Sequence, residues 1–349
     1  MTRATLVALG LGSLVSVLPL QALQASRSHT VERVVYLMGT RATLAVEAAD
    51  RPTAVRQLEE MVQSLEQTEA VLSTWRGDSV LSTLNRQPVA APLDLPPSVC
   101  ALWSELTAWH RETEGAFDPA VGTLIEAWGL RDGGRRALSD ELAAARATTG
   151  MAHFRFDAAA CRVTRLAAVK LDAGAFGKGA ALRRLLRSHT GSGPWMADLG
   201  GQVVVSGAPR DGWRVALAHP ARRADTLLEL ALRGGSLATS GASERSFEVE
   251  GERIAHILDP RTGRPVARRE SVTVWHQDPL AADILSTALY VMGPEAGLRY
   301  AEAHRVSALF LVPSGAGAGG DATVTLRPSR AFRHRFPAVE GVVGHDPSR

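Results

Sequence analysis

The sequence predicts an α+β fold in a single domain, and three observations carry that expectation. Apolar residues recur at both helical and alternating spacing, but the two patterns do not alternate strictly as they would in a doubly wound sheet. No low-complexity linker divides the chain and no internal repeat is present, although 349 residues leave room for two domains. With 45% hydrophobic and 21% charged residues the composition is that of a globular protein with a large core.

The elements follow in order. Arg3 precedes an apolar run from Ala4 to Leu20, and Ala22-Leu-Gln-Ala25 offers a small-residue cleavage site. This is the layout of a signal peptide over residues 1–25, which makes the protein exported and periplasmic. The competing reading is an uncleaved membrane anchor, but Ser13, Ser16 and Pro19 interrupt a run already short for a span. No other segment is long and apolar enough to cross a membrane. Residues 33–48 alternate as paired strands around Met38-Gly39-Thr40. A helix starts at Pro52, where Leu58, Met61, Val62 and Leu65 recur at helical spacing; a second fits Pro97–Thr113, and Ser139 stands as the N-cap of a third. Strand-like runs follow at 152–157, 161–171, 195–206, 212–218, 227–232, 246–257 and 271–275. Two helices, 279–291 and 294–304, are divided by Gly293-Pro294, and a last hairpin joins Ala308–Val312 to Thr323–Leu326 across the glycine-rich Ser314–Gly320. The domain is thus expected over 31–328, with a basic, loosely ordered tail over 329–349. Cys100 and Cys161 have no ligand partners at zinc spacing; they pair in an oxidising compartment, or Cys100 is simply buried on its helix.

Charge excludes some functions. The net charge of +3 is small, and no Lys/Arg run or basic stripe interleaved with aromatics points to nucleic acid. Of 39 basic residues only Lys170 and Lys178 are lysines. Lys178 lies in Leu171-Asp-Ala-Gly-Ala-Phe-Gly-Lys-Gly179, between two glycines and six residues after Asp172, and it opens an apolar helical pattern (Ala181, Leu182, Leu185, Leu186). Helix N-terminal amides, glycines that admit a close approach, and a compact cation suit an anionic, phosphate-bearing ligand. The same stretch also reads as a plain glycine-rich turn before a helix. Asp283 and Thr287, four apart, share a helix face and offer two oxygen ligands to Mg²⁺; the alternative is an acid complementing the helix dipole. His256-Ile-Leu-Asp-Pro-Arg-Thr-Gly263 runs from a strand into a tight turn and places a possible acid/base at the strand end. Thr239-Ser-Gly241, Gly200-Gly201 and Gly115-Ala-Phe-Asp-Pro119 read as further turns where backbone approaches a ligand. No Gly-x-Ser-x-Gly elbow, His-Glu-x-x-His, Walker loop or Rossmann fingerprint is present.

Taken together and in order, these blocks resemble the ApbE-like FAD:protein FMN transferases. Met38-Gly39-Thr40 is similar to the family's opening block, and Leu72-Ser-Thr-Trp75 with Asp78-Ser79 and Leu84-Asn85 to its second. Gly115–Gly122 with Trp128-Gly129, Leu171–Gly179, Leu199-Gly-Gly201, Ala238–Gly241, His256–Gly263 and Ala282–Leu289 complete the series. The resemblance implies an ApbE-like, T-fold-related catalytic domain that moves FMN from FAD to a Thr or Ser hydroxyl of an acceptor flavoprotein, releasing AMP. Acceptors of the family are subunits of membrane redox complexes, so peripheral association with such complexes is expected. It implies that Met38, Ser73, Thr74, Trp75, Ala116, Phe117, Asp118, Asp172, Lys178 and Leu258 line the FAD site. Ala175, through its carbonyl, with Asp283 and Thr287 would hold Mg²⁺. His256 is the candidate general base, with Asp172 the alternative. Hydrolysis of FAD to FMN and AMP at the same site, and FAD binding without turnover, stay open. The chain departs from the family's pattern at Gln202, Ser243, Ala180 and Arg183, positions that bear on adenine, ribose and acceptor contacts.

Overall fold

The computed structural model describes residues 29–189, 191, 193–241, 246–249, 251–313, 323–339 and 342–343. The expected signal peptide, Ser243 and the Ser314–Gly320 loop lie outside them.

Nine strands form one antiparallel sheet: β1 (His29–Leu37), β2 (Thr40–Ala48), β3 (Trp195–Leu199), β4 (Gln202–Ser206), β5 (Gly235–Gly241), β6 (Ser271–His276), β7 (Ser307–Pro313), β8 (Val324–Pro328) and β9 (Val342–Val343). Their order across the sheet is their order in the chain. Everything else is inserted between neighbouring strands. The insertion after β2 carries three of the four long helices: α1 (Arg51–Leu72), α2 (Pro97–Glu112) and α3 (Gly177–Ser188). The fourth, α4 (Pro279–Ala303), joins β6 to β7. Among the described residues no helix is long and apolar enough to cross a membrane.

Alternation along the strands explains why both faces are covered. Val204, Val272, Val274, Ala308 and Phe310 point toward the helices, while Val203, Val205, Leu237, Leu309 and Leu311 point the other way. That second face packs against a two-stranded hairpin (Trp213–Ala218 and Thr226–Leu232) and a short helix, Arg330–Arg335. Residues 329–339, which the lack of periodicity assigns to a loosely ordered tail, therefore pack against the sheet. Ser329 caps the helix by accepting the Phe332 N–H, and the Phe332 ring is fully buried. Burying one such ring is worth about 2 kcal/mol, enough to hold a helix too short to persist alone.

Local chemistry sets the boundaries. Asp50 caps α1 through the Thr53 N–H at 2.7 Å. Asp278 caps α4, which breaks at Gly293 (φ 80°), where Gly293-Pro294 was read as a divider. Ser139 is the first residue of its helix rather than the cap; the Glu141 carboxylate instead takes the N–H of Leu138. The run 195–206 is a hairpin, because Gly200 and Gly201 both have positive φ (61° and 90°) and form the two-residue turn between β3 and β4. The run 246–257 likewise folds back at Gly251 as Ser246–Val249 and Glu252–Ala255. The run 161–171 is a strand only over Arg162–Arg165. Beyond it the Leu171 backbone bonds both ends of the Asn85 amide, at 2.7 and 2.9 Å, so a side chain replaces a strand partner. Thr239-Ser-Gly241 is not a turn but the end of β5, with Thr239 opposite Thr273 of β6. Cys100 and Cys161 form a disulfide across 61 residues, tying α2 to the small sheet that contains Arg162–Arg165.

Candidate active site

A cleft of about 600 Å³ opens where the β1–β2 turn, the segment after α1, the loop before α3 and the His256 bend meet. Met38 turns the first hairpin with φ 52°, uncommon for a residue with a side chain, and its N–H is held by Glu69 of α1 at 3.0 Å. Ser73 ends α1, and its hydroxyl accepts the N–H groups of Trp75 and Arg76, which shapes the Ser73-Thr74-Trp75 segment. Trp75 is 67% exposed. Ala116, Phe117 and Asp118 line the opposite wall with Leu258. The Asp118 carboxylate is engaged by three segments: it accepts the N–H of Ala120 in its own loop at 2.8 Å and that of Met151 at 3.3 Å, and lies 3.3 Å from His110 Nδ1 of α2. Burial pushes its carboxyl above the ordinary range, and His110 opposes that shift. Its task is to hold the loop.

The loop from Asp172 to Gly177 leads into α3. Asp172 Oδ1 accepts the Gly174 N–H at 2.7 Å, and Oδ2 accepts from Arg131 at 2.7 Å and Thr74 at 3.3 Å. Both oxygens of Asp172 are thus engaged, which ties the loop to the Thr74 segment and to Arg131. At the start of α3 the helix lies almost against α4. A Cβ on Gly179 would stand 2.6 Å from the Pro279 carbonyl and 2.7 Å from Asp283 Cβ, so only glycine permits the approach. That approach lets Asp283, 3% exposed, accept the Gly179 N–H at 2.8 Å, while its other oxygen faces Lys178 Nζ at 3.5 Å. Ala175, Lys178 and Thr287 line the cleft beside it, as does His256 at the bend between Glu252–Ala255 and Leu258–Asp259. Lys170, by contrast, is paired on the surface with Glu126.

The Ala175 carbonyl, Asp283 and Thr287 are hard oxygen donors of the kind a divalent cation takes, and Asp283 is a buried carboxylate whose partners are the Gly179 N–H and the Lys178 ammonium. No cluster of three His, Cys, Asp or Glu exists among the described residues, so ligand phosphate oxygens and water would have to complete such a shell.

Two of the departures from the family's pattern turn out to be structural contacts. Gln202 is buried and donates to the Pro279 carbonyl at 2.8 Å, tying β4 to the start of α4. Arg183 is ion-paired with Glu105 and reaches Asp278 at 3.5 Å. Ala180 packs in the core. The residue that sequence reading missed is Arg131, which lines the cleft and contacts Thr74, Asp172 and the Trp75 ring. It stands two residues after Trp128-Gly129, but in a chain whose basic residues are almost all arginine nothing marks it out. A smaller cavity of about 320 Å³ lies on the other face of the sheet; Gly201, Thr239 and Gly241 line it, but none of the residues expected to hold FAD or the metal does.

Comparison with known proteins gives the family. A profile described as the ApbE family matches residues 38–310. The FAD:protein FMN transferase of Vibrio cholerae is 32% identical over 290 residues, covering 80% of this chain and 85% of that protein. That of Treponema pallidum is 33% identical over 316 residues, covering 82% and 86%. Among solved structures, the apo form of the Pseudomonas stutzeri flavinyl transferase ApbE superposes with a TM-score of 0.77 at 29% identity, over 89% of this chain and 98% of that one. The Thermotoga maritima ApbE protein gives 0.77 at 27% identity, over 88% and 99%. The chain belongs to the ApbE family.

Proposed function

We propose that this protein transfers FMN from FAD to a Thr or Ser hydroxyl of an acceptor flavoprotein, releasing AMP. One observation carries the reading: a single cleft joins an apolar wall with an exposed indole to a helix start that gathers Lys178 and the buried Asp283. Such a cleft can hold a planar ring at one part and a pyrophosphate at another.

The chemistry needs few groups. The acceptor oxygen bonds to the phosphorus of the FMN half while the bond to the bridging oxygen breaks and AMP departs with that oxygen. His256, on the cleft wall, takes the proton from the attacking hydroxyl. Lys178 offsets the negative charge that would otherwise repel the nucleophile. Glycines without side chains at the start of α3 allow close approach, and the rigid loop bonded through Asp172 keeps the ligand in line for attack. Mg²⁺, held through the Ala175 carbonyl, Asp283 and Thr287, would supply Lewis-acid polarisation of the phosphoryl oxygens.

Export to the periplasm belongs to the same reading. The N-terminal Arg3–Ala25 layout and the Cys100–Cys161 disulfide both support it, since disulfides persist in oxidising compartments. Acceptors would then be proteins on the outer face of the cytoplasmic membrane, within membrane redox complexes.

The test is incubation with FAD, Mg²⁺ and a candidate acceptor, followed by intact-mass measurement. A gain of one FMN on the acceptor is the expected result. Free FMN without labelled acceptor would assign hydrolysis instead, and no product would leave a flavin-binding protein.

A further inference from the structure

We propose that Arg131 is a positioning residue for flavin binding: it fixes the Trp75 indole as a flat platform for the planar ring. This rests on the cleft being the FAD site.

Trp75 sits on a segment without regular structure and is 67% exposed, so its ring has little packing to hold it. Arg131 supplies the hold. One guanidinium nitrogen donates to the Thr74 carbonyl at 2.9 Å; another donates to the Thr74 hydroxyl and to Asp172 Oδ2, both at 2.7 Å. The guanidinium carbon lies 5.0 Å from the centroid of the Trp75 ring, within cation–π range. The backbone at position 74 and the ring at position 75 are therefore fixed by one planar group. That group is itself anchored. Its turn begins at Gly129, which has φ 56°, and the preceding Trp128 indole donates to the Gly263 carbonyl at 2.8 Å. The clamp thus links the segment after α1, the turn at 128–131 and the loop entering α3. Both Trp75 and Arg131 line the cleft, so the indole still presents surface to a ligand.

A ring held before the ligand arrives does not lose its rotational freedom on binding, which favours affinity. Only a flat fork does this. A lysine at the same place keeps the charge but cannot donate in two directions while stacking.

The probes are FMN, whose fluorescence a stacked indole quenches, and AMP, the half of FAD without the ring, measured by displacement of FAD. In Arg131→Ala, FMN affinity and quenching should fall by about tenfold, AMP affinity should hold, and the kinetic loss should appear in KM for FAD more than in kcat. Arg131→Lys should not restore FMN binding. Trp75→Ala combined with Arg131→Ala should bind FMN no more weakly than Trp75→Ala alone, because the arginine acts through the indole. Wild-type FMN affinity in Arg131→Ala, additive losses in the double variant, a parallel loss of AMP, or full rescue by lysine would each overturn the proposal. If the unaltered protein bound neither FMN nor FAD, the flavin-site reading would fall first and the role of Arg131 with it.

Discussion

The two cavities share the central sheet as a wall and Arg223 lines both, yet they are built mostly from different kinds of element. The larger cleft is made of loop segments and a helix start, brought together from residues as far apart as Met38 and Thr287. The smaller cavity is made mostly of strand side chains: Asp198 on β3, Thr239 on β5, and Ser271 and Thr273 on β6. Adjacent residues of β5 make the division plain. The Thr239 hydroxyl pairs with that of Thr273 at 2.8 Å on one face, and Ser240 pairs with Ser286 of α4 at 2.9 Å on the other. The difference lies in framing rather than in polarity, since Arg214, His219 and Arg223 also line the smaller cavity. The cleft adds a glycine-bounded helix start with a lysine and an acid held in place by the Gly179 N–H; the lining of the smaller cavity comes from strands and loops.

Removing the acid from each side tests the comparison most severely. Asp283→Ala should lower Mg²⁺-dependent FMN transfer by at least about a hundredfold, roughly 2.7 kcal/mol of barrier, while part of the FAD affinity survives. Initial rates and equilibrium binding, measured on the same preparation, separate the two. Gly179→Ala should come next. With backbone atoms 2.6 and 2.8 Å from the new Cβ, α3 and α4 must move apart, which costs about 1–3 kcal/mol of stability and displaces Asp283. Thermal melting together with transfer rates would show both losses; a variant that melts and turns over normally would mean the helices can part without harm. Lys178→Ala should weaken FAD binding by roughly tenfold, about 1.4 kcal/mol, and unchanged affinity by calorimetry would return the segment to an ordinary helix start.

The smallest effect is expected across the sheet. Burial pushes the Asp198 carboxyl above the ordinary range, opposed by the Gly201 N–H and by the charges of Arg223 and Arg41. A raised value in the fold means that ionisation costs more there than in the unfolded chain. That cost is absent below the ordinary carboxylate pKa, grows as pH rises toward the folded value, and is constant above it. Asp198→Asn should therefore raise the melting temperature at pH 7, give no gain near pH 3, and leave FMN transfer intact. Loss of transfer in this variant would erase the distinction between the two faces.

Much of the cleft was legible in the sequence because its parts are backbone devices, and backbone devices leave local marks. Gly177, Lys178 and Gly179 stand at a helix start, Met38-Gly39 turn a hairpin, and Asp283 and Thr287 sit four apart on a periodic helix. Arg131 left no mark, since its role depends on three segments meeting and its own neighbours in the chain do not require it. Gln202 and Arg183 misled in the opposite way. They look like changes in a binding site, but Gln202 ties β4 to the start of α4, and Arg183 ties α3 to α2 and to the cap of α4.

The sequence by itself determined the element types, the hairpin of β1 and β2, the break at Gly293-Pro294, and the segments that face the cleft. Those follow from periodicity and from residues whose φ or capping chemistry is fixed locally. Only the tertiary structure decided the rest: a nine-stranded sheet in chain order, a tail held by the Phe332 ring, and a carboxylate aimed at a helix start 104 residues away. The reason is physical. These features depend on which surfaces bury one another, and a one-dimensional pattern states that a face is apolar without stating what will cover it.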